Sequence, residues 1–394
     1  MADQFLRLAW SDSESDAHGY LVIDRLVGGI SGGGLRIRPG LTLDEVSRLA
    51  AAMSLKNGAL GIAAGGAKCG LDADPRDPST RDVLVRFVRA MAPIFDAYMS
   101  TGEDMGVQQS TLNAVFAEVG LQTSLRASLR ASGDAAAALA RTSGALSMTV
   151  EGTPLVDLVG GYGVAEACAA ACRFLGRPTE GLRAVVQGFG SMGGSTARYL
   201  VEKGAVVVGV ADSEGLIHNP AGLDVARLLA ARDPLGLISR AAGVGPGDVL
   251  LPREDWLGLD CDLLVPAAVA DAITVDNCSA VRAALVVEAA NIPTTAGAEA
   301  ALSGRGVVIV PDFVANACTN GWAWWVALGE VGPSAADAFA KIASVMRTSV
   351  GELLAAARRD GVTPRAAAEA LSRAQLDRLA AQHGVLPPLV GASL

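Results

Sequence analysis

The chain has 394 residues, a net charge of −9, 51% hydrophobic and 19% charged residues. That balance supports packed cores and excludes global disorder, the negative charge disfavours a nucleic-acid partner, and the length argues for two domains. The six cysteines form no paired CxxC units, and His18, His218 and His383 stand apart, so structural zinc, a His-ligated metal and a Ser-His-Asp hydrolase are not expected. No uninterrupted apolar run approaches the roughly 18 residues of a membrane span. The opening MADQFLRLAWSDSESD lacks a basic region followed by an apolar core, so no signal peptide is expected and a cytoplasmic home is the default.

In chain order, GYLVIDRLV reads as a strand. Thr42 and Glu45 have capping-box spacing, and Val46, Leu49, Ala50 and Met53 give the segment after them a helical period. TRDVLVRFVRAMAPIF reads as a second amphipathic helix. The Ala- and Ser-rich segment 121–142 reads as a surface helix or mobile loop without chemistry. Cys168 and Cys172, four apart on an expected helix, read as small buried hydrophobes. From about residue 181 the Val-rich runs RAVVQ, AVVVGVAD, CDLLVP, ALVVEAAN and GVVIVPD are mostly separated by helical segments, the pattern of a parallel doubly wound sheet. The stretch 334–382 has helical period and is expected to pack back on the rest.

Gly188-Phe189-Gly190-Ser191-Met192-Gly193 has GxGxxG spacing, follows a strand, opens a helix and leads to a second strand ending at Asp212. That context is the dinucleotide-binding fingerprint. The first glycine permits the tight turn, the second lets backbone approach the pyrophosphate, and the third lets helix and strand pack closely. The helix N-terminus attracts the anion. Asp212 is expected to accept from the adenosine ribose hydroxyls, which inclines the cofactor to NAD and leaves NADP possible.

Only four of the 32 basic residues are lysine, and two of them, Lys56 and Lys68, fall in one Gly-rich region. A lysine in a closed glycine-walled pocket has its charged form disfavoured and can serve as a general base. A nearby carboxylate, Asp104, can relay protons, and the second lysine can hold a substrate carboxylate.

The order GGLR, an MxxK helix end, GGAK, EDMGV, the GxGxxG turn, EAANIPTT and PDFVANA resembles the glutamate/leucine/phenylalanine/valine dehydrogenase superfamily, from about Gly32 to Ala317. The resemblance implies an α/β fold in three parts. These are a substrate-binding and oligomerisation domain over 1–145, a Rossmann domain over 146–330, and C-terminal helices over 331–394 that return to the first domain. It implies reversible NAD(P)-dependent deamination of an L-amino acid to a 2-oxo acid and ammonia, in a homo-oligomer, with hydride passing when the two domains close. It also implies roles by position: Lys56 on the substrate α-carboxylate, Lys68 on the attacking water, Asp104 on the amine protons. Gly188, Gly190 and Gly193 would seat the pyrophosphate, and Asn291 and Asn316 would line the cleft near ribose and nicotinamide.

The departures from the family pattern bear on the substrate. Glutamate-specific members place a lysine where this chain has Gly32 and a serine where it has Ala323. Together with Gly102, these positions suggest a roomy pocket for an uncharged aliphatic or aromatic side chain, because a buried carboxylate without a cation is costly. Asn320 falls where an apolar pocket residue is usual. The family's NAGGV reads NACTN, with Cys318 and Thr319, and its threonine before GYGV is Gly160. Trp322, Trp324 and Trp325 lie near the pocket in sequence. Two other readings stay open: a glutamate dehydrogenase with atypical recognition of the side-chain carboxylate, and a catalytically weakened relative that binds nucleotide.

Overall fold

The computed structural model describes residues 4–384. Among these, the chain divides into two compact units: 4–143 with 323–330 and 371–384, and 144–322 with 331–370.

The first unit runs β1 (Leu6–Ser11), β2 (His18–Ile23), β3 (Ser31–Ile37), α1 (Leu43–Ala59), β4 (Gly65–Asp72), α2 (Thr80–Ala97), β5 (Met99–Glu103), α3 (Gln109–Glu118), α4 (Arg126–Ala131) and α5 (Ala135–Leu146). Its sheet has the order β1-β2-β4-β3-β5. The β1/β2 and β2/β4 pairs are antiparallel, and β3 lies parallel to both β4 and β5. Alternation along the strands decides what each face carries. Leu21, Ile23, Leu35, Cys69 and Leu71 point into a core with Val83, Leu84, Phe87 and Phe95 of α2 and Leu112 and Phe116 of α3. Val22 points the other way, onto Val46 and Ala50 of α1. Helix α1 starts as the sequence predicts: the Thr42 hydroxyl accepts from the Glu45 N–H at 3.3 Å. The segment 121–142 contributes α4 and most of α5, with Ala127, Leu129 and Ala138 buried.

The second unit begins with the hairpin β6 (Thr149–Val150) and β7 (Thr153–Pro154), then α6 (Leu155–Phe174), β8 (Arg183–Gln187), α7 (Ser191–Glu202), β9 (Val206–Ala211) and β10 (Leu216–His218). It continues with α8 (Val225–Ala230), α9 (Arg240–Gly243), β11 (Val249–Leu251), β12 (Leu263–Pro266), β13 (Leu285–Val287), α10 (Ala296–Gly304), β14 (Val308–Val310) and α11 (Asp312–Ala315). Helices α12 (Cys318–Leu328), α13 (Ala335–Asp360) and α14 (Pro364–His383) follow. The sheet order is β11-β10-β9-β8-β12-β13-β14. The five Val-rich runs form its parallel part, β9-β8-β12-β13-β14. Strands β10 and β11 extend it antiparallel at one edge, which the spacing alone does not reveal.

Helix α6 is long and apolar enough to cross a membrane, yet most of it is buried inside the protein. It is the core helix of this unit. Gly161 lets α7 approach it, since a Cβ there would lie 2.0 Å from Ser195 Oγ and 2.4 Å from the Thr196 nitrogen.

The C-terminal helices divide differently from the expected return over 331–394. Helix α13 belongs to the second unit and packs on α6, burying Ile342, Met346, Val350 and Leu353. The first unit instead takes residues 371–384, where Leu376 and Leu379 cluster with Val27. Residues 323–330, at the end of α12, also belong to the first unit.

Candidate functional site

In the first unit the chemistry is built on β4. Ala67, Cys69 and Leu71 of this strand are buried on the α2 side, so alternation turns Gly66, Lys68 and Gly70 to the α1 side. A Cβ at Gly66 would lie 2.1 Å from the Ser54 nitrogen, so glycine there lets the α1 backbone rest on the strand. Lys68, 6% exposed, does not sit alone in its glycine-walled pocket. Its Nζ lies 2.5 Å from Asp104 Oδ2. The same oxygen accepts from Arg36 Nε at 3.0 Å, and Arg36 Nη1 reaches Glu45 Oε1 at 3.1 Å. Burial works against ionisation of Asp104, but the charges of Lys68 and Arg36 and their hydrogen bonds outweigh it and hold the carboxyl at about 2. Sequence reasoning missed two parts of this group. Arg36 is a second cation on Asp104. Gly34 clears its space: a Cβ there would lie 2.8 Å from the Asp104 Cβ and 2.9 Å from Lys68 Nζ.

Lys56 is half-buried in the last turn of α1, on the stripe that Met53 presents to Gly33. The roomy pocket expected at Gly32 needs correction. A Cβ at Gly32 would lie 2.5 Å from Cζ2 of Trp324, so the indole fills that volume. Trp322, Trp324 and Trp325 are all buried, at 3%, 6% and 1% exposure. Gly102 is open, with only Gln109 Oε1 at 3.6 Å from a Cβ. Ala323 is exposed and Asn320 half-buried.

In the second unit each glycine of the fingerprint shows its own reason. Gly188 has φ +93, a conformation that favours glycine. A Cβ at Gly193 would lie 2.0 Å from the Gly188 oxygen, whereas nothing stands within 4 Å of one at Gly190. Gly190 is the N-cap of α7 without a side-chain cap, so the first turn presents backbone N–H groups and its positive dipole end. Phe189 is buried at 1% exposure, and Ser191 and Met192 open the helix. Arg232 Nη1 donates to the carbonyls of Phe189 at 3.1 Å and Gly190 at 2.8 Å.

Asp212 is placed differently from its expected role on the ribose. Its carboxylate is clasped by Arg240, Nη2 to Oδ1 at 2.5 Å and Nη1 to Oδ2 at 2.7 Å. It also accepts from the N–H groups of Glu214, Gly215 and Ile238. Burial opposes the charge, while Arg240 and these N–H groups hold the carboxyl below its ordinary value.

Asn316, 6% exposed, donates through Nδ2 to the Ala290 carbonyl at 3.1 Å and to Asn291 Oδ1 at 3.0 Å. Beneath this loop lies a charge cluster that sequence reasoning did not single out. Arg365 reaches Glu288 Oε2 at 2.6 Å, Glu299 Oε2 at 2.6 Å and Asp312 Oδ1 at 3.0 Å. Glu288 Oε2 also accepts from the Asp312 N–H, and Asp312 Oδ2 from the Ile292 N–H, both at 2.9 Å. Burial, with the Asp312 charge adding to it against Arg365, pushes the Glu288 carboxyl up to about 7.

Two departures in sequence prove to be one structural exchange. A Cβ at Gly160 would lie 2.6 Å from Thr319 Oγ1, and one at Gly163 would lie 2.4 Å from Cys318 Sγ. The space over α6 is therefore filled from α12. Gly160→Thr is expected to lower the melting temperature, and adding Thr319→Ala should recover most of the loss in a thermal melt. No recovery in the double variant would mean that Met192, whose Cε stands 3.0 Å from the same Cβ position, sets the limit.

The residues present fit a dinucleotide. The turn leaves the Cβ position of Gly190 open, and Asn316 Oδ1 is a buried acceptor without a partner among the described residues, suited to an amide or hydroxyl donor. No group of three His, Cys, Asp or Glu residues that could hold a metal occurs among the described residues.

Residues 153–384 match the family model described as Glutamate/Leucine/Phenylalanine/Valine dehydrogenase, and residues 6–120 match that of the Glu/Leu/Phe/Val dehydrogenase dimerisation domain. The NAD-specific glutamate dehydrogenase of Staphylococcus aureus is 32% identical over 293 residues, 72% of this chain and 66% of that protein. The cryptic catabolic NAD-specific glutamate dehydrogenase of Bacillus subtilis is 34% identical over 297 residues, 72% of this chain and 64% of that protein. The match thus spans just under two thirds of these relatives' length. Among solved structures, the Leu-bound hetero-hexameric glutamate dehydrogenase of Thermus thermophilus superposes with a TM-score of 0.76 at 26% identity, covering 98% of this chain and 91% of that one.

Proposed function

This chain belongs to the glutamate/leucine/phenylalanine/valine dehydrogenase family, and from that premise we propose that it catalyses NAD-dependent, reversible oxidative deamination of an L-amino acid. The amino acid, water and NAD⁺ give the 2-oxo acid, ammonium, NADH and a proton. The observation that carries this reading is the Lys68–Asp104 pair, 2.5 Å apart in a glycine-cleared space, in a chain whose other unit carries a complete dinucleotide turn. Seated at the Gly188–Gly193 turn, NAD would supply the hydride acceptor for the substrate Cα. Lys56 holds the α-carboxylate. Asp104 exchanges protons at the substrate nitrogen, which requires Lys68 to turn from it towards the water, because a carboxyl held at about 2 is a poor proton acceptor. Lys68 Nζ orients that water and takes its proton as it adds to the imine carbon. Asn316 Oδ1, a buried acceptor, would accept from a donor of the cofactor. The match of residues 6–120 to a dimerisation domain supports a homo-oligomer assembled through the first unit.

Glutamate is the substrate that the named relatives support. Trp324 favours a second reading, an uncharged side chain. Its indole occupies the Cβ direction of Gly32, the position of the lysine expected in glutamate-specific members, and brings no charge to meet a carboxylate. Arg36 and Arg38, the nearby cations in sequence, are engaged by Asp104 and Glu45. The test is a panel of L-amino acids with NAD, read by reduced-cofactor absorbance. Glutamate with the highest kcat/KM settles the first reading. A leucine-like or aromatic substrate ahead by about tenfold or more settles the second, and Trp324→Ala should then change the ranking of side chains by size. No turnover with any amino acid would remove the catalytic reading and leave a nucleotide-binding relative.

A further inference from the structure

The end of β9 is where a dinucleotide-binding sheet reads the adenosine ribose, by an acid that accepts from its hydroxyls or by an arginine that meets a 2′-phosphate. An acid can do this only with an oxygen turned to the ligand. Both oxygens of Asp212 are engaged inside the protein. Oδ1 accepts from Glu214 N–H at 2.9 Å, Gly215 N–H at 3.2 Å and Arg240 Nη2 at 2.5 Å. Oδ2 accepts from Ile238 N–H at 3.1 Å and Arg240 Nη1 at 2.7 Å. The Asp212 side chain is 3% exposed and that of Arg240 is 21% exposed. The outward member of the pair is the cation.

Arg240 is also held at a fixed place relative to the Gly-rich turn. It ends the segment 232–240, whose other end is tied by Arg232 to the carbonyls of Phe189 and Gly190. Midway, Gly236 rests on the turn itself, since a Cβ there would lie 2.5 Å from the Gly190 nitrogen. Beyond its bonds to Asp212, Arg240 Nη1 donates to the Ile238 carbonyl at 3.1 Å. Nε–H and one Nη2–H carry no hydrogen bond among the described residues.

We propose that Arg240, rather than Asp212, meets the adenosine ribose, and that it lets this protein take a 2′-phosphorylated dinucleotide as well as NAD. The inference rests on the dinucleotide-dependent reading above. An ion-paired Asp212 presents no net charge to repel a 2′-phosphate, and a planar guanidinium with uncommitted N–H donors on a partly exposed side chain suits a phosphate oxygen pair.

The test is calorimetric titration of the full chain with NADH and with NADPH, independent of turnover. The wild type is expected to bind the two within about tenfold of each other. Arg240→Ala is expected to weaken NADPH by about tenfold or more with a much smaller change for NADH, and Arg240→Lys to keep part of the NADPH affinity. Arg240→Ala leaves a buried carboxylate without its cation, so the paired variant Asp212→Asn/Arg240→Met, uncharged and of similar size, carries the same expectation. An unchanged NADH-to-NADPH ratio in that paired variant, or a wild type that rejects NADPH by more than about a hundredfold, overturns the proposal while leaving the dehydrogenase reading intact. A wild type that binds neither cofactor overturns the dehydrogenase reading itself.

Discussion

Lys68→Ala and Asp104→Asn are each expected to lower the turnover of amino-acid deamination by about 10²–10⁴-fold while NADH affinity, read by calorimetry, is unchanged. Both residues lie in the first unit, on β4 and just beyond β5, and the dinucleotide turn is carried by the second. Asp104→Asn keeps the shape of the side chain but removes the negative charge that Lys68 and Arg36 share, so the lysine is left against a second cation. Arg36→Met is expected to act more mildly. It removes one of the two charges that outweigh burial and hold Asp104 at about 2, so that carboxyl should rise towards its ordinary range and the acid limb of the pH–rate profile should rise with it. The linkage has a definite sign. A depressed carboxyl contributes stability that is complete above its ordinary value of 3.8 and is lost as pH falls through about 2. Turnover unchanged in Lys68→Ala or in Asp104→Asn would remove the proposed chemistry.

What could be read in the sequence was what depends on short spacing. The Gly188–Gly193 turn needs only a strand, three glycines and a helix in order: Gly193 meets the Gly188 oxygen within the turn, Gly190 keeps its Cβ position open, and only the neighbour of Gly188, Ala268, comes from afar. Lys68 and Asp104 were legible because each lies in its own glycine-marked segment, on β4 and just after β5. The partners that decide how these groups behave were not. Arg36 lies 68 residues before Asp104, Arg240 lies 28 residues after Asp212, and Arg365 lies 77 residues after Glu288. Periodicity reports which face a residue takes, and it carries no record of which distant side chain arrives on that face. The same holds for Gly32. Its lack of a side chain reads as room, but the indole of Trp324 comes from an element almost three hundred positions on and fills it. In a chain where 28 of 32 basic residues are arginine, none stands out by type. A buried acid in a motif, such as Glu288 of EAANIPTT, was the one available sign that a distant cation must exist.

Arg365→Met is expected to destabilise the second unit by about 3–5 kcal/mol, the largest effect on stability of any single change considered, and by more at high pH than at low. The arginine is the cation shared by three carboxylates whose side chains are 0%, 9% and 6% exposed, Glu288, Glu299 and Asp312. Without it those charges are buried unpaired, and the cheapest relief is to take up protons. Even with Arg365 present, burial and the Asp312 charge hold the Glu288 carboxyl up at about 7 against an ordinary 4.5. A raised acid contributes stability that is present below its unfolded value and lost as pH rises through its folded one. Relative to Glu288→Gln, the wild type should therefore lose stability between about pH 4.5 and 7. Arg365→Met should widen that loss, so that its melting temperature lies nearer to wild type at pH 5 than at pH 8. The cluster also holds the loop that carries Asn291, through the Asp312 and Ile292 N–H groups, so NADH affinity of the folded variant should weaken in the same pH range. Arg365→Lys, which places one ammonium where three N–H directions are needed, should fall between the two. Equal melting temperatures for Arg365→Met and wild type at pH 8 would show that the three acids find protons or solvent without the arginine.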